Sequence, residues 1–200
     1  LRSNLLVAVA ATAAIMFAAF GPGLASADTV PTGTTDTTDT ISIKEVKGAL
    51  KFVAPASVHV GDDLKVINET DPHKVGPHTF SLVTKGSVPK TPQARKNCFT
   101  PKHICLSIAK WHGFDPKTEK ITVNPATAGP EGWSTLGSTT KKGDSWFTGE
   151  KKSGTSITQR VTADPATTPT LYFICAVHPW MHGQTQVLPA ATTPLPTGSY

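Results

Sequence analysis

Residues 174–183 read ICAVHPWMHG, and within them Cys175, His178 and Met181 fall at intervals of three. Just ahead, residues 170–175 (TLYFIC) alternate, with Leu171, Phe173 and Cys175 on one side and Tyr172 and Ile174 on the other. A period of two over this length predicts a half-buried strand ending at Cys175, with the sulfur turned toward the core. Pro179 fixes its own φ and narrows the choices open to His178, which stiffens the loop that carries all three side chains.

A thiolate, an imidazole and a thioether are three of the four donors of a copper site built from two histidines, one cysteine and a weak axial methionine. The second imidazole is expected from residues 75–83, VGPHTFSLV, where His78 stands at the entrance of a run that alternates Phe80 and Leu82 against Thr79 and Ser81. His73, in DPHKV, is the rival, but Gly76 and Pro77 separate it from any alternating strand. A tetrahedral zinc site from Cys175, His78, His178 and His182 is the competing chemistry, and it leaves Met181 without a role. The chain's two methionines are Met16 and Met181.

Taken together these segments resemble the cupredoxins, the small type 1 blue copper proteins, and the spacing of Cys175, His178 and Met181 is closest to the amicyanin and plastocyanin-like branch. A third stretch agrees: residues 51–70, KFVAPASVHVGDDLKVINET, carry Phe52, Pro55, Val58, Val60, Gly61, Asp62, Val66 and Asn68 in the order of the family's early strand pair. The resemblance implies an all-β, antiparallel Greek-key sandwich with copper held by His78, Cys175, His178 and Met181. The family's usual Asn after the first ligand, which ties the two ligand loops together, is replaced by Thr79, whose hydroxyl is expected to do the same. His78 and Cys175 are further apart in sequence than in a minimal member, so an insertion, residues 86–135, is expected between them.

Three cysteines in an exported chain leave one unpaired. Cys98 and Cys105 bracket FTPKHI and are the natural pair, which leaves Cys175 for a metal. An alternative groups Cys98, His103, Cys105 and His112 as a second, zinc-type site. His59 is read as an outward strand residue and His182 as a loop residue beside the site.

Export itself is an expectation from residues 1–27, where Arg2, an apolar run and the small-residue sequence Ala25-Ser26-Ala27 read as a secretory signal. The run from Leu5 to Phe20 is shorter than the ~20 residues a spanning helix needs. Removing Arg2 with this segment lowers the formal charge from +5 to +4. Lys110, Lys117, Lys120, Lys141, Lys142, Lys151 and Lys152 recur in the second half, as an ordinary solvated face or one that steers an acidic redox partner. No basic run interleaved with aromatics suggests nucleic acid. Residues 28–40, DTVPTGTTDTTDT, are too poor in apolar groups to order themselves and read as a linker, and residues 189–200 read as a disordered tail. Residues 41–188 remain as one copper-binding domain.

Within it, residues 41–52, 57–60 and 63–68, 119–123, 145–149 and 156–161 read as further strands, with a turn at Gly61 and Asp62 and a short helix over residues 104–111. Trp133 and Trp146 are expected to pack, whereas Trp180, Pro179 and Pro77 are expected to form an apolar docking patch over His178. The function so implied is a monomeric, exported one-electron carrier, with an extracytoplasmic copper-delivery protein as the alternative. An enzyme is disfavoured, since multicopper relatives need His-x-His pairs and the sequence has none.

Overall fold

A computed structural model of the protein describes residues 37–118, 120–121, 132–150 and 152–191, with only the backbone described at 120 and 121. The described residues fall in one compact unit. The segment read as signal, most of the linker and of the tail, and most of the stretch from 119 to 131 lie outside the described residues.

The chain opens with β1 (Thr38–Val46) and β2 (Ala49–Val53), an antiparallel pair. Residues 41–52 were expected as one strand, and the structure corrects this to a hairpin. Lys47 and Gly48 both take left-handed φ, 52° and 76°, which is the two-residue turn whose twist matches antiparallel strands. β1 also begins at Thr38, inside the stretch read as linker, because it pairs in parallel with β4 (Asp63–Asn68) from Thr38 opposite Asp63. β9 (Ser156–Arg160) completes this sheet, whose order is β2-β1-β4-β9.

The second sheet has the order β3-β11-β10-β5-β8. Its members are β3 (Ser57–His59), β5 (Thr79–Val83), β8 (Ser145–Phe147), β10 (Thr170–Ile174) and β11 (His182–Leu188). The two sheets form a cupredoxin-like Greek-key β-sandwich, antiparallel except for the parallel pairs β1 with β4 and β3 with β11. Ile41, Ile43, Leu64, Val66, Phe80, Leu82, Leu171 and Phe173 fill the space between the sheets, all fully buried. Trp133 is buried among them and donates its indole N–H to the Leu64 carbonyl at 3.1 Å, which satisfies its one polar group. Gly183, opposite Phe173 in β11, leaves room for that ring, since a Cβ there would collide with it.

The insertion builds a second layer on the outer face of the β5–β10 sheet. It contains a 3₁₀ turn (Lys85–Ser87), α2 (Pro92–Lys96), α3 (Ile104–Trp111) and the small ladder of β6 (Phe114–Asp115) with β7 (Lys120–Ile121). α3 lies where the sequence predicted a helix, and it buries Ile104, Cys105, Leu106 and Ile108. Val83, Ile174 and Ala176 meet it from the sheet side. Cys98 and Cys105 form a disulfide with Cα atoms 5.0 Å apart. The zinc-type alternative for this region thereby loses both its thiolates.

Candidate metal centre

Both segments that carry the expected donors emerge at the same end of adjacent strands. β5 and β10 are antiparallel neighbours with Ser81 opposite Ile174, so the residue just before β5 and the residue just after β10 arrive side by side. Those residues are His78 and Cys175. The loop after Cys175 turns back at once, closed by a hydrogen bond from the Met181 N–H to the His178 carbonyl at 2.8 Å and one from the Cys175 N–H to the Met181 carbonyl at 2.9 Å. His178 is thereby folded over Cys175.

The His78 and His178 Nδ1 atoms stand 3.1 Å apart, and Cys175 Sγ lies 3.7 Å from the first and 3.6 Å from the second. The circumcentre of a triangle with those sides is about 2.0 Å from each corner, the length of a metal–imidazole bond and slightly under a metal–thiolate bond. All three side chains are buried, and among the described residues they form the one such cluster of histidine, cysteine and acidic side chains. The donor set and its spacing fit a single metal ion. Met181 is 2 % exposed and packs in the same core cluster as Cys175.

Burial governs the acid–base state of the three groups. It pushes the Cys175 thiol up to about 11, against the opposing pull of N–H groups from Thr79, His178 and Val177. It pulls His78 down to about 4, helped by the neighbouring His178. His178 is also lowered by burial, with the Val75 backbone working the other way. At neutral pH the metal-free site therefore holds two neutral imidazoles and a protonated thiol, so an ion that binds must displace the thiol proton.

Thr79 joins the two segments as expected. Its hydroxyl accepts from the Ala176 N–H at 2.8 Å, and its own N–H points at Cys175 Sγ at 3.4 Å. Ser81 donates to the same hydroxyl, and beyond it Ser145 and His112 continue a buried polar chain to the inserted layer, with contacts of 2.6 and 2.7 Å. His112 is thus a packing partner of Ser145. His73 is exposed near the start of α1 (Pro72–Val75), outside the cluster. His59 pairs with Asp62 at 3.3 Å, and His182 is an exposed residue of β11 instead of a loop residue, so neither joins the centre. Trp180 is 51 % exposed and meets the His178 ring edge-on at 5.1 Å.

Sequence reasoning missed Asn68 and Thr70, which back His78 from the far side. Thr70 Oγ1 is 3.0 Å from His78 Nε2 and bonds in turn to Asn68 Oδ1. A polar pair at the end of a strand looks like any turn in sequence, and only the fold brings it against a histidine.

No protein-family model and no curated protein matches the chain. Among solved structures, auracyanin A, a "blue" copper protein from the green thermophilic photosynthetic bacterium Chloroflexus aurantiacus, aligns at 16 % identity over 76 % of this chain and 98 % of its own, with a TM-score of 0.37. Auracyanin B aligns at 15 % over 80 % and 94 %, with a TM-score of 0.37. A methionine-to-alanine mutant of amicyanin in its Cu(I) form aligns at 17 % over 76 % and 84 %, with a TM-score of 0.29. Likenesses this distant carry no weight on function, which has to come from the site itself.

Proposed function

We propose that the protein is an exported type 1 copper protein that carries single electrons, with the ion held by His78, Cys175, His178 and Met181. The observation that carries this reading is the triangle of buried sulfur and two Nδ1 atoms, sized for one ion. Copper held there would supply a one-electron couple, and two imidazoles with one thiolate and an axial thioether suit both of its oxidation states. The chain's own part is to hold the donors still. Pro179 and the two backbone bonds across residues 175–181 resist rearrangement of the loop, while Thr79 keeps the His78 and Cys175 segments in register.

The burial of all four donors, of which His178 is the most exposed at 8 %, favours electron passage over exchange of the ion. Electrons would enter and leave through the His178 edge, against which the exposed Trp180 packs, and Trp180, Pro179 and Pro77 would be the apolar patch that a transient redox partner meets. No substrate is transformed. Among the described residues no helix is long and apolar enough to cross a membrane.

The test is the visible spectrum of the chain after one equivalent of cupric ion. An intense blue thiolate-to-copper band that bleaches with mild reductant and returns on reoxidation is expected, and Cys175→Ala should abolish it. A colourless complex would move the function to copper delivery, and a Cys175→Ala variant that kept its colour would overturn the site.

A further inference from the structure

Behind His78 lies a hydrogen-bond chain whose proton count has one solution. The Thr70 backbone N–H donates to Asn68 Oδ1 at 3.0 Å, which fixes which end of that amide faces Thr70. The Thr70 hydroxyl donates to the same oxygen at 2.7 Å. A hydroxyl has one proton, and this one is spent. Thr70 Oγ1 can then only accept from His78 Nε2, 3.0 Å away. His78 therefore carries its proton on Nε2, and its Nδ1, the atom turned toward Cys175 and His178, is a bare lone pair.

We propose that Thr70, held by Asn68, is a positioning residue that locks His78 in the Nε2–H tautomer and presents Nδ1 ready-made to an incoming ion. The proposal rests on the metal-site reading only for what that nitrogen meets. Thr70 and Asn68 are 7 % and 0 % exposed, so water does not compete for the chain. Asn68 is itself pinned at both backbone groups, its N–H to the Thr155 carbonyl at 2.9 Å and its carbonyl to the Gly154 N–H at 2.7 Å. Among the described residues its buried Nδ2 has no hydrogen-bond partner, so the amide is oriented for Thr70 at the expense of its other end. The chain then runs directly into α1, where Asp71 caps the helix by accepting from the His73 N–H at 3.0 Å, so Thr70 is anchored on both sides.

The test reads the tautomer in the metal-free chain by ¹⁵N spectra of labelled histidine. Wild type should show pure Nε2–H at His78, Thr70→Ser should keep it, and the near-isosteric Thr70→Val should mix in the Nδ1–H form. Titration with cupric ion against a competing chelator should then give about a tenfold to hundredfold weaker affinity for Thr70→Val, and near-wild-type affinity for Thr70→Ser. Nδ1–H in wild type overturns the proposal, as does a folded Thr70→Val that stays pure Nε2–H with unchanged affinity. The wild-type reading needs no variant to fold. A chain that shows pure Nε2–H and yet binds no copper would sink the copper function while upholding the role of Thr70.

Discussion

On its inner face β10 turns Leu171 and Phe173 into a space closed by strands of both sheets. On its outer face Ile174, with Ala176 just beyond, lies under a single short helix tied back by Cys98 and Cys105. Both sides exclude water, but the inner one is enclosed by many long-range strand pairings and the outer one by a cap built within the insertion. Cys175 follows directly after β10, so one side sets its place in the core and the other covers the residues that flank it. A strand that reads as half-buried is in fact covered on both faces. The hydrophobic alternation reports one buried face and is silent about what an insertion lays on the other.

If the two sides differ in this way, truncation should cost more inside. Phe173→Ala is expected to lose about 4 kcal/mol, because the rigid surround leaves a cavity, and Ile108→Ala in α3 about 2 kcal/mol, because a one-helix cap collapses more readily. Denaturant melts of the two variants check this, and equal losses would break the distinction.

Acid should act at the end of the inner face. His78 has its ordinary value of 6.5 when unfolded and about 4 when folded, so below 6.5 the unfolded chain takes up a proton that the folded chain refuses. Stability of the metal-free protein should be complete above pH 6.5 and fall toward pH 4, by about 3 kcal/mol from this residue. Melts from pH 7 to 4 with His78→Gln as control measure it, and a control that loses as much as wild type would remove His78 as the cause.

Below the acid effect comes the bridge of the outer cap. Opening the Cys98–Cys105 bridge releases a short loop and should cost about 2.5 kcal/mol on the chain-entropy account. Melts with and without a thiol reductant should show a shifted but still cooperative transition. Separate unfolding of the insertion would sharpen the comparison, and global unfolding on reduction would defeat it.

What the sequence made legible follows the same division. Alternation in 170–175 and in 79–83, with the turn at Gly61 and Asp62, was enough for the strands, and the sandwich they build was implied by the family resemblance; the burial of Thr79, Ser81 and Ile174, out of phase with a period of two, was not legible. Cys175, His178 and His78 stood out by residue type and position, and the odd cysteine count paired Cys98 with Cys105. The hairpin at Lys47 was hidden because lysine rarely takes a left-handed φ, leaving Gly48 as a lone signal. The chains from Thr79 to His112 and from Asn68 to His78 were hidden for a different reason. Their members are ordinary serines, threonines and an asparagine, and they gain a role only from partners brought near by the fold.

The buried Cys175 thiol has a consequence for how the molecule matures. With its proton held up to about 11, only about one copy in ten thousand is reactive at pH 7. Burial thus keeps the thiol protonated, and so a poor nucleophile, while the site is empty. If the site takes an ion as proposed, the thiol keeps its proton until that ion displaces it.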